Sequence, residues 1–213
     1  MMPFYRNYST KGLTNYWLRK SGDYWKDYLK TWNHPHRNVI SSMLKRLTWY
    51  SLVEFGCGSG PNLANIVTNI PNRQLAGIDI NPEAIKLARE SFKGAMFRVE
   101  SCDNVLLSDK ASDIVLSDML LIYVGPLKIQ KYLKEMRRIA RNYIVLHEFH
   151  EKSWWRRQYL RIFSGRHSYD YKKRLQKLGF YDINIYAMPV FEKDNEQRFR
   201  YLIIAAVPKR YVQ

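Results

Sequence analysis

The sequence predicts an α/β protein built on a doubly wound, mostly parallel sheet with helices on both faces. From residue 51 onward, short apolar runs typical of strands alternate with helical patterns, which is the order that crossover helices produce. Near the end of the chain, two apolar runs flank the polar, turn-rich stretch at 194–196, and this pattern predicts an antiparallel last strand. A length of 213 residues leaves room for one domain, spanning 1–213.

Seven strands are predicted from the apolar runs. Their ranges are 51–55, 75–80, 95–99, 113–117, 143–147, 182–187 and 199–207. Four helices are predicted at 61–70, 82–92, 126–139 and 170–178. A proline stands at the first position of the first two helices, and Gly94 and Gly179 follow the ends of the second and the fourth, as is typical of helix boundaries.

The net charge of +16 is unevenly distributed along the chain. Residues 1–50 carry +7, residues 51–118 carry −3 and residues 119–213 carry +12. This division favours an anionic partner for the two flanking segments, whereas a solvated basic surface without a partner is the alternative interpretation.

Two observations bear on the compartment of the protein. No stretch approaches the roughly 18 consecutive apolar residues that a membrane-spanning helix needs, and the first residues lack the apolar core of a secretory signal. The two cysteines, Cys57 and Cys102, form neither a metal-ligand spacing nor a disulfide framework. We therefore expect a soluble protein of the reducing cytoplasm.

A glycine-rich turn between the first strand and the first helix of this alternation is the most specific motif. It reads Glu54-Phe55-Gly56-Cys57-Gly58-Ser59-Gly60. Glycines allow a sharp turn and the close approach of a ligand, while the following helix presents free N–H groups. Asp79 closes the second strand about 20 residues later, where its carboxylate can accept hydrogen bonds from two ribose hydroxyls. The turn and Asp79 together predict an adenosine-bearing cofactor.

A nicotinamide dinucleotide is the alternative cofactor. Its fingerprint, Gly-x-Gly-x-x-Gly, requires a glycine where this sequence has Pro61, and the extra glycine falls earlier, at Gly60. A chain of this length also has no room for the separate substrate domain that many dehydrogenases carry. Both observations disfavour hydride transfer.

From about 51 to 207 the sequence resembles the class I S-adenosylmethionine-dependent methyltransferases, which have a Rossmann-like fold. The family's first motif resembles the glycine-rich turn, and its acidic ribose-binding residue resembles Asp79. The resemblance implies that the cofactor is S-adenosyl-L-methionine. It implies cofactor contacts from Glu54, Gly56, Gly58, Gly60, Asp79 and the adjacent Ile80.

Two further motifs of that family have counterparts in this chain. The family's adenine-binding turn resembles 101–104, which implies contacts from Ser101, Cys102 and Asp103, although family members often carry Asp where this chain has Ser101. The family's fourth motif resembles 113–120, which implies that Ser117 and Asp118 lie beside the methionine part of the cofactor.

The methyl acceptor is less clearly marked, because the positive sulfur of the cofactor already activates the methyl group and the protein mainly has to align it. The sequence at 117–120 is unlike the Asn/Asp-Pro-Pro-Tyr/Phe motif of amino methylation, and no Pro-Cys pair is present for cytosine C5 methylation. We expect a small, anionic acceptor. The alternatives are an RNA methyltransferase and a non-catalytic binding subunit, and the intact glycine turn with Asp79 argues against the second.

Candidates for proton transfer stand near the ends of the predicted fourth and fifth strands. They are Tyr123, His147 and Glu148. No metal is expected, because His34-Pro35-His36 supplies two rings but no third ligand.

Four segments complete the predicted organisation: an N-terminal helical cover at 1–50, a cofactor-binding core at 51–148, a basic aromatic insertion at 149–168, and a C-terminal helix with an antiparallel strand pair at 169–213. Aromatic residues of the cover either reach the acceptor or pack the cover onto the domain. The insertion interleaves Trp, Tyr and Arg. It can stack on a planar acceptor, lie on RNA or a membrane surface, or pack as an ordinary helix.

Overall fold

A seven-stranded sheet forms the centre of the fold. The computed structural model describes residues 15–189 and 197–208. The strands are β1 Ser51–Phe55, β2 Gln74–Asp79, β3 Met96–Val99, β4 Ser112–Asp118, β5 Ala140–Phe149, β6 Tyr181–Ala187 and β7 Arg200–Ala206. They are arranged in the order β3-β2-β1-β4-β5-β7-β6. Of these strands, β7 runs antiparallel to both of its neighbours, and the other pairs are parallel.

Helices cover both faces of the sheet. They are α1 Gly22–Leu29, α2 Pro35–Leu44, α3 Pro61–Asn69, α4 Pro82–Ser91, α5 Ile129–Ile139, α6 Trp154–Ser164 and α7 Tyr171–Lys177. Short 3-10 turns occupy Lys30–Asn33, Leu121–Tyr123 and Gln197–Phe199. None of the helices within 15–189 and 197–208 combines the length and the apolar character that crossing a membrane requires. The predicted fold class is confirmed.

The predicted element boundaries agree with the structure to within three residues. One difference lies at the start of α5, which was expected at Pro126 and begins at Ile129. Residues 126–128 instead form a turn in which the carbonyl of Gly125 accepts from the N–H groups of Lys128 and Ile129, at 2.9 and 3.1 Å. The turn-rich stretch at 194–196 lies outside the described residues.

Side chains of β1 alternate between two apolar cores. Val53 and Phe55 belong to the cluster that contains Leu133 of α5, whereas Leu52 belongs to the cluster that contains Ile40 of α2 and residues of α3. All five residues of β1 are buried. This is the pattern expected of a parallel strand whose two faces are both covered by helices.

The strand order reverses between β1 and β4. Phe55 pairs with Ser117 near the carboxyl ends of these two strands. In open α/β sheets, the crossover helices leave toward opposite faces at such a point and open a crevice in which ligands bind. The fold therefore brings the glycine-rich turn after β1 and the end of β4 to one crevice.

The basic aromatic insertion contains an ordered helix, α6. Ser153 caps its N-terminus by accepting from the N–H of Arg156, and Gly165, with φ of +70°, ends it. Leu160 is 3% exposed and packs in a small cluster with Ile122, Phe149 and Phe199. The insertion is thus attached to the end of β5 and to the 3-10 turn that follows β4.

Candidate active site

A cavity of about 490 Å³ lies at the carboxyl ends of β1, β2, β4 and β5, beneath α1 and the start of α2. Its size falls within the range of small-molecule sites. The structure brings seven of the predicted site residues to its wall: Gly56, Gly58, Asp79, Ile80, Asp118, Tyr123 and His147. Aromatic side chains of the N-terminal segment complete the lining, among them Trp17, Tyr24, Trp25 and Tyr28.

The glycine-rich turn adopts a conformation that favours glycine at three positions. Gly56, Gly58 and Gly60 have φ values of +72°, +54° and +86°. A Cβ atom at Gly58 would lie 2.8 Å from a ring carbon of Trp25, so the aromatic cover rests directly on the turn. Gly60 faces Phe92 and Phe97 instead of the cavity, and it serves as the N-cap of α3.

Asp79 is held at the cavity wall by backbone hydrogen bonds. Its Oδ2 accepts from the N–H of Gly58 at 2.9 Å, and its Oδ1 accepts from the N–H of Asn81 at 2.9 Å. Burial raises the pKa of the Asp79 carboxyl, and these backbone N–H groups oppose the rise. The side chain stands where the sequence predicts the ribose contact.

The predicted adenine-binding turn lies outside the cavity lining. Ser101 is exposed, and its hydroxyl donates to Asp103 at 2.6 Å. Asp103 also lies 3.4 Å from the Lys131 ammonium, and Cys102 is 3% exposed within the core beneath the sheet. Adenine contacts by these residues remain a prediction.

A buried polar cluster surrounds the carboxylate of Asp118 at the end of β4. We call His36, Arg37, Asn62, Asp118 and His147 the Asp118 cluster. Oδ2 of Asp118 accepts from Arg37 Nη1 at 3.0 Å and from Asn62 Nδ2 at 2.9 Å, and it lies 3.2 Å from His36 Nε2. Oδ1 lies 2.6 Å from His147 Nδ1. The side chains of Arg37, Asp118 and His147 are each 3% exposed.

The surroundings of Asp118 determine its protonation state. Burial alone would raise the pKa of its carboxyl, but His36 and His147 hold that pKa well below its ordinary value. An ionised carboxylate only accepts hydrogen bonds, so Nδ1 of His147 donates to Oδ1 of Asp118. Nε2 of His147 is buried and has no hydrogen-bond partner among the described residues. The cluster therefore fixes the orientation of the His147 ring beside the cavity.

The expectation of no metal stays a prediction, although the fold places potential ligands from other elements beside His36. The fold brings Asp118 and His147 to His36, and one ligand atom from each of the three lies within 4.8 Å of the others. The sequence gives no local sign of this grouping, because β4 and β5 supply two of its members. The hydrogen bonds nevertheless disfavour a cation, since Arg37 already places a positive charge 3.0 Å from the same carboxylate.

Two glutamates of the predicted site lie behind the cavity wall. Oε1 of Glu54 accepts from Asn62 Nδ2 at 2.5 Å, and Oε1 of Glu148 accepts from Ser117 Oγ at 2.7 Å. The N–H groups of Leu120 and Leu121 also donate to Glu148, at 3.1 and 3.0 Å, so this side chain braces the turn that carries Tyr123. Burial raises the pKa of Glu54 and of Glu148 to about 8.

Sequence reasoning missed His36, Arg37, Asn62 and Arg200 as site residues. Arg37 was predicted only as part of the N-terminal cover, a candidate segment for acceptor binding, and it is 2% exposed. Asn62 follows Pro61 at the start of α3, so its position just after the glycine-rich turn was the available signal. For Arg200, which comes from β7, no local signal exists.

Part of the chain matches a known family. Residues 52–142 match the family model described as a methyltransferase domain. This range contains the glycine-rich turn, Asp79 and Asp118. No curated protein gives a significant sequence match to the chain.

Solved structures share the fold over most of the chain. A methyltransferase in complex with the Haloferax volcanii Trm112 methyltransferase activator has a TM-score of 0.70 and 17% identity, over 90% of this chain and 99% of that chain. Magnesium protoporphyrin IX methyltransferase from Synechocystis PCC 6803, with bound S-adenosylmethionine, has a TM-score of 0.69 and 13% identity, over 95% of this chain and 99% of that chain.

A third similar structure is phosphoethanolamine N-methyltransferase 2 of Haemonchus contortus, in complex with phosphomonomethylethanolamine and S-adenosylhomocysteine. Its TM-score is 0.61 at 13% identity, over 81% of this chain and 53% of that chain, so this protein spans about half of its length. Residues 52–142 therefore match a methyltransferase domain, and the chain shares the fold of S-adenosylmethionine-dependent methyltransferases, as its motifs predict.

Replacing Gly58 by Ala tests the contact between the turn and the cover. The new Cβ meets the rings of Trp25 and Tyr28 and also strains a backbone with φ of +54°. We expect a loss of roughly 1–3 kcal/mol in the free energy of unfolding. Gly94→Ala is the matched control, because its φ is +99° and nothing lies within 4 Å of its Cβ position. Equal losses in the two variants, measured by chemical denaturation, would show that the cover does not press on Gly58.

Replacing Glu148 by Gln tests its protonation in the folded protein. With a folded-state pKa of about 8 and an unfolded value near 4.5, Glu148 stabilises the fold fully below pH 4.5, and this contribution declines as pH rises toward 8. In the wild type, this titration lowers the free energy of unfolding by up to about 1.4 kcal/mol per pH unit between these values. The variant is expected to lose this slope. Glu90→Gln, at an exposed position of α4, is the control. An unchanged slope in Glu148→Gln contradicts the assignment.

Proposed function

We propose that the protein transfers a methyl group from S-adenosylmethionine to a small, anionic acceptor, with His147 as the general base. The observation that carries this proposal is the Asp118–His147 pair, which lines the same cavity as the glycine-rich turn and Asp79. The match to the methyltransferase domain and the neighbours with bound cofactor support S-adenosylmethionine as the cofactor.

The cavity wall offers contacts suited to each part of the cofactor. The carboxylate of Asp79 is placed to accept from ribose hydroxyls, and Gly56 and Gly58 line the same cavity, on the side where the methionine part would lie. Rings of Tyr24 and Trp25 face this region, and aromatic faces attract a positive sulfonium. When bound, the cofactor supplies the electrophilic methyl group.

Residues of the chain accept the proton that the acceptor loses. The cofactor would supply the methyl group to an oxygen or nitrogen of the acceptor. The His147 ring, which lines the cavity, would take up the proton that the acceptor loses. The ionised Asp118, 2.6 Å from Nδ1, stabilises the imidazolium that results.

The N-terminal cover over the cavity favours a small acceptor over a nucleobase within a polymer. Two hydrogen bonds hold the cover on the core: Ser59 Oγ donates to the carbonyl of Trp25 at 2.8 Å, and Asn81 Nδ2 donates to the carbonyl of Trp17 at 2.7 Å. The cofactor takes a large part of a 490 Å³ cavity and leaves limited space. Arg200 at the lining and the net charge of +16 favour an acceptor with a negative charge.

Replacing Asp79 by Ala is expected to weaken cofactor binding at least about tenfold, because charge-assisted hydrogen bonds to the ribose are lost. Isothermal titration calorimetry with S-adenosylmethionine and S-adenosylhomocysteine measures the change. Asp23→Ala removes a carboxylate from an exposed position of α1 and serves as the control. If the wild type binds neither compound, or binds NAD more tightly, the cofactor assignment fails.

The acceptor can be found with cofactor that carries a deuterated methyl group. Incubation with the low-molecular-weight fraction and, separately, with the RNA fraction of a cell extract, followed by mass spectrometry, identifies the compound that gains the label. With that acceptor, His147→Gln is expected to lower kcat by about 10²–10⁴-fold and to remove the rise of the rate with pH, while cofactor affinity is retained. His167→Gln, outside this cavity, is the matched control. A wild-type rate in His147→Gln would rule out His147 as the general base. Label transferred only to RNA would rule out a small acceptor.

A further inference from the structure

Helix α6 exposes most of its large apolar side chains. Trp155 is 76% exposed, Ile162 60%, Phe163 55%, Trp154 52% and Tyr159 51%. Leu160 is the apolar residue of this helix that is buried. In a monomeric protein such a concentration of exposed apolar side chains on 11 residues marks an interaction surface.

A group of cations borders this helix. A second cavity, of about 610 Å³, lies between α6 and α7 and is lined by six basic side chains: Lys152, Arg157, Arg161, Lys173, Arg174 and Lys177. One acidic residue, Asp170, shares the lining. None of the six has an ion-pair partner within 4 Å in the described part of the chain. Arg157 donates to the backbone carbonyls of residues 151 and 152, which leaves its charge uncompensated.

We propose that α6 docks the protein on an anionic membrane surface, with its exposed apolar side chains in the interface and the six basic residues on lipid phosphates. An interfacial helix combines these two features, with tryptophan at the level of the headgroups and Lys or Arg beside it. Each basic side chain near the bilayer adds attraction to anionic lipid. The proposal is independent of methyl transfer, because it rests on a surface outside the active-site cavity.

A nucleic acid fits the same surface less well. Bases stack on aromatic rings, but Ile162 offers no stacking face and is 60% exposed. In a lipid interface, aliphatic and aromatic side chains are buried alike. The mixture of Trp, Phe and Ile beside the cations therefore favours a lipid surface over RNA.

Docking through α6 would hold the active site close to the membrane. The buried side of α6 packs through Leu160 on Ile122, and Tyr123 of the same turn lines the cavity. Helix α6 therefore packs on the turn that also supplies Tyr123 to this wall of the active site. An acceptor that is dissolved in or attached to the membrane would meet the cavity there.

Vesicle flotation of the purified protein tests the proposal. We expect binding to vesicles of phosphatidylcholine mixed with phosphatidylglycerol, a blue shift of tryptophan fluorescence on binding, and little binding to phosphatidylcholine alone. The double variant Trp155→Ser/Ile162→Ser is expected to bind at least about tenfold more weakly. Arg157→Ala/Arg161→Ala is expected to weaken binding and to reduce its dependence on salt.

The matched control is Val67→Ser/Leu106→Ser, which removes two exposed apolar side chains from other surfaces. Its binding is expected to equal that of the wild type. The proposal is overturned if wild type does not bind anionic vesicles, or if the α6 variants and the control bind equally. It is also overturned if the wild type is a dimer in size-exclusion chromatography and the Trp155→Ser/Ile162→Ser variant is a monomer. A third contradicting result is that single-stranded RNA displaces the vesicles and that RNA binding requires Trp155 and Ile162.

Discussion

The ionised carboxylate of Asp118, buried at the end of β4, is the constraint on which the arrangement of the site depends. A charge that is 3% exposed is stable only when donors surround it, and here they come from α2, α3 and β5. Arg37 is buried as deeply, so each charge makes the burial of the other tolerable. The cluster thereby holds the N-terminal helices over the crevice and fixes the orientation of the His147 ring.

Much of the fold was predictable because its signals are local. Leu52, Val53 and Phe55 of β1 match a strand that is buried on both faces, and Pro61 and Pro82 mark the starts of α3 and α4. The cofactor side of the site was predictable for the same reason, since the glycine-rich turn and Asp79 each follow a strand. The cavity brings Gly56, Gly58 and Asp79 together as their positions along the chain imply.

The polar cluster was not predictable, because its contacts join distant parts of the chain. Asp118 meets His36 and Arg37 across 82 and 81 positions, and neither residue has a local feature that distinguishes it from solvated basic residues nearby. A count of charges also assigns Arg37 to the surface, although it is 2% exposed. The uneven charge of the two flanking segments therefore has two origins, namely structural arginine near the site and uncompensated cations around α6.

The Asp118 cluster also has a consequence for the order in which the protein is assembled. A growing chain presents His36 and Arg37 first, then Asn62, then Asp118, and His147 last. Since all five meet around one carboxylate, the cluster cannot be complete until β5 has been synthesised and has paired with β4. Shorter nascent chains contain the glycine-rich turn and Asp79 but lack an oriented imidazole. Formation of the Asp118 cluster is therefore tied to completion of the central sheet, so incomplete chains lack the ordered cluster.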